Sequence, residues 1–512
     1  MLRTHAAEKL PEPPRAPPAG FAFANSYAAL PAHFFVRQDP VPVANPRLIK
    51  FNQALAEELG LPCGSFDAGT LAAIFSGNLI PLGASALAMA YAGHQFGQFV
   101  PQLGDGRAIL LGEVIDRFGM RRDIQLKGAG RTPYSRGGDG RAAVGPVLRE
   151  YLVSEAMHAL KIAGTRALAA VATGEVIFRD TPVPGAILTR VAASHVRVGT
   201  FQYFAARGDL DSVKRLADYV IERHYPELKA AEHAYLELLR SVAARQAKLI
   251  ASWMHVGFIH GVMNTDNMAV SGETIDFGPC AFMDEYDPAK VFSSIDSMGR
   301  YGFANQPAAA QWNLARFAET LLPLIDTDSG RAVESASEVI AAFPERFELH
   351  WLAGMRAKLG LFTEEAGDLE LSRNWLDVMH RNECDYTLAF RRLCDAANGD
   401  RARGGNDPQL RALFARPGEF DEWAQGLRMR WAREPQGAAD RVHAMRQVNP
   451  AFIPRNHRVE QVIAAAIERE DFAPFEEMLS VLSRPFDDQP GFEAYATPPQ
   501  PAERVLQTFC GT

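Results

Sequence analysis

One stretch constrains this chain more than any other: HGVMNTDNMAVSGETIDFGP, residues 260–279. Asn267 and Asp276 stand nine residues apart in it. The run MAV, a turn at SGE and the run TIDFG predict a strand-turn-strand hairpin that returns the second side chain beside the first. Asn and Asp offer oxygen atoms, the donors that hard divalent cations prefer. The same pair also suits an ordinary surface turn, so spacing alone leaves both readings open.

In protein kinases the catalytic loop reaches an Asn seven residues after a His and precedes a strand ending in Asp-Phe-Gly. His260 and Asn267 keep that interval, and Asp276-Phe277-Gly278 follows Ile275. The catalytic Asp of that loop is absent, because Val262 stands in its place and cannot take a proton. Asp266 is the nearest carboxylate able to substitute as base; its alternative role is an Asx turn or a helix cap. His260 is expected to hold backbone groups in place. His94 and His195 are expected to pack or hydrogen-bond, since the intervals between histidines do not suggest zinc ligands.

A cation for phosphate should come from elsewhere. Lys127 ends the strand-like DIQLK and Glu150 lies in the next helical segment, the arrangement by which kinases orient a phosphate-binding Lys. Two Gly-rich segments flank it, LGDGRA at 103–108 and GAGRTPYSRGGDGRAAVG at 128–145. Such segments let backbone amides approach an anion, but neither is a P-loop and either could be a hairpin turn. Arg131, Arg136 and Arg141 add charge, as do Arg190 and Arg197. Paired Arg hydrogen bonds suit phosphate, and Arg190 and Arg197 are the preferred candidates; solvated strand ends are the plain alternative.

A chain of 512 residues exceeds one ordinary core, so two or three lobes are expected. Its net charge of -8 argues against nonspecific nucleic-acid binding. No apolar run approaches the roughly 20 residues that cross a bilayer. The segment MLRTHAAEKLPEPPRAPP reads as a flexible tail without a secretory apolar core. Cysteines at 63, 280, 384, 394 and 510 lack zinc-site spacing, and a reducing cytoplasm is the simplest compartment.

Residues 1–85 are expected to form an extension packed on the core, with LIKFNQALAEELG as a helical piece. Residues 86–205 read as a lobe of antiparallel strands plus a helix at 146–162. RAILLGEVID and RRDIQLKGAG predict one strand pair; VATGEVIFRD and GAILTRVAAS predict another. Residues 206–512 read as mostly helical, carrying the loop at 260–280 and a carboxyl-terminal extension. A long amphipathic helix is expected at 230–257, with Gly164 as the stop of the earlier one. Further helices are expected near 304–323, 331–343, 346–360, 373–379, 387–397, 408–413, 420–431 and 457–468. RARGGNDPQ and DQPGFEAYATPPQPAE read as linkers or surface turns.

Taken together, YAGHQFGQFVPQLGDGRA, QLKGAGRTPYSRGGDGRA, SHVRVGTFQ and HGVMNTDNM with IDFGP resemble the selenoprotein O family, also called the YdiU family. That resemblance implies an α+β, protein-kinase-like two-lobed fold with added amino- and carboxyl-terminal helical elements. It implies transfer of AMP from ATP to Ser, Thr or Tyr hydroxyls of proteins, with ATP reversed relative to kinases and pyrophosphate released. UTP is an alternative donor, since backbone contacts and phosphate clamps need not discriminate bases.

Carried onto this chain, the resemblance makes Asp266 the general base and Asn267 and Asp276 the ligands of Mg2+ or Mn2+. Lys127, supported by Glu150, would hold phosphates with Arg190 and Arg197; Gly104, Gly106, Arg107, Asp139 and Gly140 would line the nucleotide site. Cys280 and Cys510 form a candidate regulatory disulfide, against two unpaired thiols. Proteins and ATP are the expected partners, with neither nucleic acid nor membrane. Ordinary phosphotransfer and a silent nucleotide-binding scaffold are the competing functions.

Overall fold

The computed structural model describes residues 20–398 and 408–509. The amino-terminal tail, most of RARGGNDPQ and Cys510 lie outside the described residues. Twelve strands are present among the described residues: β1 Phe35–Arg37, β2 Arg47–Phe51, β3 Leu87–Met89, β4 Gly93–Gln95, β5 Gln98–Val100, β6 Ala108–Ile115, β7 Arg121–Lys127, β8 Ala142–Ala143, β9 Arg166–Phe178, β10 Pro182–Ala192, β11 Phe258–Ile259 and β12 Ala281–Phe282. Antiparallel pairing arranges the main sheet as β1-β3-β6-β7-β10-β9-β2, with β8 against β10. Both strand pairs expected from sequence are there, β6 with β7 and β9 with β10.

Two-residue alternation decides what the sheet presents. In β7, Ile124 and Leu126 join one apolar core, so Asp123, Gln125 and Lys127 point to the other face. Arg190 of β10 sits opposite Gln125 and therefore shares that face. Helices α1 (Gln53–Glu58) and α2 (Ala68–Ser76) cover the apolar face through Leu55, Leu71 and Phe75. Helix α3 (Val144–Ala159) crosses the other face, packing Leu148 and Leu152 among Ala170 and Leu188.

Three local expectations are corrected. LIKF is strand β2 rather than the start of a helix, because its backbone pairs with β9 along the sheet edge and the helix begins only after Asn52 caps it. Helix α3 ends before Gly164: the N–H groups of Lys161 and Ile162 return to the carbonyls of His158 and Met157, with Lys161 in the left-handed region at φ 63°. The hairpin across 268–278 shrinks to one bridge, Met268 with Thr274. Thr274 and Ala269 are drawn off to Gly164 and Arg197 instead.

Below the sheet lie α4 (Val198–Ala205), α5 (Leu210–His224) and α6 (Ala234–His255), then α7 (Gln306–Ile325), α8 (Ser329–Ala341), α9 (Phe343–Leu359), α10 (Asp368–Arg381), α11 (Tyr386–Ala396), α12 (Pro408–Arg411), α13 (Pro417–Trp431), α14 (Ala438–Arg446), α15 (Asn456–Arg469) and α16 (Ala473–Leu482). Each helix expected from periodicity is present within a few residues; α2, α4, α5, α14, α16 and a short helix α17 (Glu493–Ala496), inside the stretch expected to be a linker, come in addition. Helices α15 and α16 return to the sheet and pack Val459, Val462 and Phe475 against α3. Among the described residues no helix is long and apolar enough to cross a membrane.

Candidate active site

A cleft of about 420 Å3 opens between the polar face of the sheet and the loop after β11. Lys127 crosses it. Its Nζ donates to Glu150 Oε2 at 2.6 Å and to Asp276 Oδ1 at 2.7 Å. Arg190 makes the same pair of contacts, Nε to Glu150 Oε1 at 2.5 Å and Nη2 to Asp276 Oδ1 at 2.8 Å. Burial alone would raise both carboxyls; Arg190 and Lys127 instead hold Glu150 below its ordinary value, and Lys127 and Arg190 hold Asp276 well below. Two cations and two carboxylates thus neutralise each other in a site that removes most water, where losing one member would leave a buried charge unpaired.

Asp276 has φ 67°, a left-handed backbone uncommon for a non-glycine residue. That turn aims its carboxylate at Lys127, and Gly278 and Phe277 follow into the core. Both cationic bonds end on Oδ1, which leaves Oδ2 as the oxygen able to meet a further cation. Asn267 donates its amide to the Val262 carbonyl at 3.0 Å, fixing the side chain at the cleft wall. Among the described residues no three His, Cys, Asp or Glu side chains gather into a metal cage. Two oxygen donors in a cleft lined by Lys127, Arg190 and Arg197 fit Mg2+ or Mn2+, because Mg2+ keeps most of its waters and needs few protein ligands.

Asp266 is 8% exposed, and its Oδ1 has no hydrogen-bond partner. Burial pushes its carboxyl up to about 6, against the pull of Arg197. Such a group is mostly ionised at neutral pH yet basic enough to take a proton. Its loop is fixed from three sides. His94 N–H of β4 donates to Thr265 Oγ1 at 2.7 Å, Phe96 N–H donates to Asn264 Oδ1 at 3.0 Å, and Arg197 Nη1 donates to the Asp266 carbonyl at 3.2 Å. His260 does hold backbone, bonding the Ile275 carbonyl and the Val262 N–H. Val262 itself lines the cleft.

Gly104, Gly106, Arg107, Asp139, Gly140, Arg190 and Arg197 all reach the same cleft. Gly140 permits the second Gly-rich loop to fold on itself: a Cβ there would come within 2.2 Å of the Gly130 carbonyl, and its φ is 70°. Asp139 is held at the rim by Arg179, the first cause of a carboxyl below its usual value. Arg197 lies 4.2 Å over the Tyr91 ring and 3.8 Å from Asp105. Tyr91, Gln95, Asp105 and Tyr134, which lie inside the quoted motifs without having been assigned a role, also line the cleft, as do Arg179 and Ile295 outside them. Cys280 is fully buried, and its partner in the expected disulfide, Cys510, lies outside the described residues.

Opposed across one cleft, a sheet lysine and the Asp-Phe-Gly carboxylate mark an enzyme of the protein-kinase-like class. Residues 19–483 match the family model described as "Protein adenylyltransferase SelO", and the chain belongs to that family. "Protein nucleotidyltransferase YdiU" of Rhizobium johnstonii is 64% identical over 496 residues, covering 97% of this chain and 98% of the relative. The protein of that name from Rhizobium meliloti is 64% identical over 492 residues, 96% and 99% of the two chains. Its counterpart in Bradyrhizobium diazoefficiens is 62% identical over 492 residues, again 96% and 99%.

Proposed function

We infer that this chain is a protein nucleotidyltransferase that moves AMP from ATP to hydroxyl side chains of other proteins. Membership of an adenylyltransferase family supports the reaction. One juxtaposition supports the residue roles: Lys127 joins Glu150 of the upper lobe to Asp276 of the lower across the cleft. The Ser, Thr or Tyr oxygen attacks the α phosphorus while the Asp266 carboxylate takes its proton. The bond from that phosphorus to the bridging oxygen breaks, and its electron pair leaves with pyrophosphate. Lys127, Arg190 and Arg197 face the charge that grows on the leaving group.

Gly104, Gly106, Arg107, Asp139 and Gly140, which line the cleft, would enclose the nucleotide. ATP reversed relative to kinases brings the α phosphate toward Asp266, so Val262 needs no polar atom. Asn267 and Asp276 would hold Mg2+ or Mn2+, which when bound neutralises phosphate oxygens. Intact mass after incubation with ATP and Mg2+ tests the reading. An AMP adduct on acceptor proteins is expected for the natural chain and none for Asp276→Ala; a nucleotide-binding chain without adducts would mean a silent scaffold.

Cys280 and Cys510 are proposed as a redox pair restraining this loop. Thr508 Oγ1 donates to the Pro279 carbonyl, so the chain end reaches the neighbour of Cys280. Burial pushes the Cys280 thiol up, so its thiolate forms less readily than that of an exposed cysteine. Equal AMP transfer by the natural chain and Cys510→Ser, with and without reductant, would remove the idea.

A further inference from the structure

We propose that the loop carrying Ile295, Met298 and Arg300 is the docking surface for the acceptor protein. It takes an extended segment in which the modified hydroxyl is flanked by an apolar and an acidic side chain. This rests on the AMP-transfer reading and names the partner surface of that same site.

Ile295 lines the cleft that holds Asp266, yet is 57% exposed. Met298, three residues on, is 90% exposed. On the facing hairpin Phe99 adds a side chain 40% exposed. Single exposed apolar residues are ordinary, but large ones gathered at the mouth of a catalytic cleft mark an interaction surface.

The loop that bears them is held in shape. Its start pairs with Thr508, through Ser294 N–H to the Thr508 carbonyl at 3.0 Å and Thr508 N–H to the Phe292 carbonyl at 2.8 Å. Asp296 is 4% exposed and accepts the N–H groups of Arg300 and Tyr301 at 2.9 and 2.8 Å. Tyr301 then donates its hydroxyl to Asn264 Oδ1 at 2.8 Å, two residues before Asp266. Ile295 and Met298 are therefore presented by a fixed scaffold tied to the base. A surface ordered in advance costs little entropy on binding.

Arg300 supplies the charge. Its guanidinium stacks 4.7 Å over Trp312 and lies 3.5 Å from where a Cβ on Gly97, at the hairpin tip, would stand. Its Nε is buried without a hydrogen-bond partner, and among the described residues it has no carboxylate partner. A carboxylate brought by the acceptor would pair with the half-buried guanidinium through charge-assisted hydrogen bonds. An apolar rim and a cation without a carboxylate partner together select an apolar and an acidic neighbour.

The test uses the full chain with ATP, Mg2+ and nine-residue peptides bearing a central Ser. Flanks are Leu and Glu, Leu and Lys, or Ala throughout. The Leu and Glu peptide should exceed the Ala peptide in kcat/KM by about tenfold or more, as burial of part of an aliphatic side chain requires. Met298→Asp should erase the Leu advantage, and Arg300→Glu should turn preference for Glu into preference for Lys. Met298 is too exposed for its replacement to unfold the chain. AMP release with water as acceptor, measured alongside, reports the nucleotide site separately. Identical kinetics for all peptides, with AMP release still dependent on Asp266, would overturn the docking surface and leave the transfer reading intact. A dimer lost in Met298→Asp without change in peptide kinetics would assign the surface to a second copy and overturn it equally. No AMP release from the natural chain would overturn the transfer reading itself, and the docking surface with it.

Discussion

Replacing Asp266 by Asn should make the protein inactive and more stable. Its carboxyl titrates near 3.8 in an unfolded chain and near about 6 when folded, because burial disfavours the charge. The sign follows from proton binding. Between those values the folded state holds the proton more tightly, so stability falls as pH rises through the window and the full cost is present above it. A gap of about two pH units corresponds to about 3 kcal/mol. The amide of Asn is itself desolvated and takes back about 1 kcal/mol. Asp266→Asn should therefore gain about 2 kcal/mol at pH 8, a rise of a few degrees in melting midpoint, and lose that advantage at pH 4, where the variant becomes equal to or up to about 1 kcal/mol less stable than the natural chain. AMP transfer should fall by roughly 10²–10⁴-fold through loss of the proton acceptor. Melting curves of both proteins from pH 4 to 8 provide the assay. A lower midpoint for the variant at pH 8, or a difference that ignores pH, would refute the reasoning.

AMP transfer by the natural chain should fall as pH drops through about 6, where Asp266 takes up its proton. Arg197→Met removes the guanidinium that opposes burial, so the acid limb of the pH profile should move upward; an unmoved limb would separate Arg197 from the base. Gly93→Ala would place a methyl 2.7 Å from Asp266 Oδ1 and 3.0 Å from its Cβ. Displacing the base in this way should cost about 10²-fold in kcat with KM for ATP little changed; normal turnover would show that the loop has room to yield.

Much of the site was legible because its residues repeat local patterns. Lys127 closes an alternating strand, Glu150 lies in the helix that follows, and Asp276 heads an Asp-Phe-Gly turn, so each announces its own element. That they meet is a tertiary fact, made by β7, α3 and the turn after Ile275. Tyr91, Asp105 and Asn264 went unseen since each reaches the cleft through loop geometry rather than periodicity. LIKF was misread because four apolar-rich residues suit strand or helix equally, and pairing with β9 decided between them. The hairpin across 268–278 lost its partner strand to Gly164 and Arg197, competitors distant in sequence. Arg300 belongs to no sequence motif, and its place between Trp312 and the Gly97 turn is a tertiary fact.

ATP labelled at the α or at the γ phosphate decides most directly what the cleft does. With an acceptor protein and Mg2+, the α label should enter the acceptor and the γ label should leave with pyrophosphate, and Asp276→Ala should abolish incorporation. Incorporation of the γ label would make the enzyme a phosphotransferase and contradict the roles given to Asp266 and the reversed nucleotide.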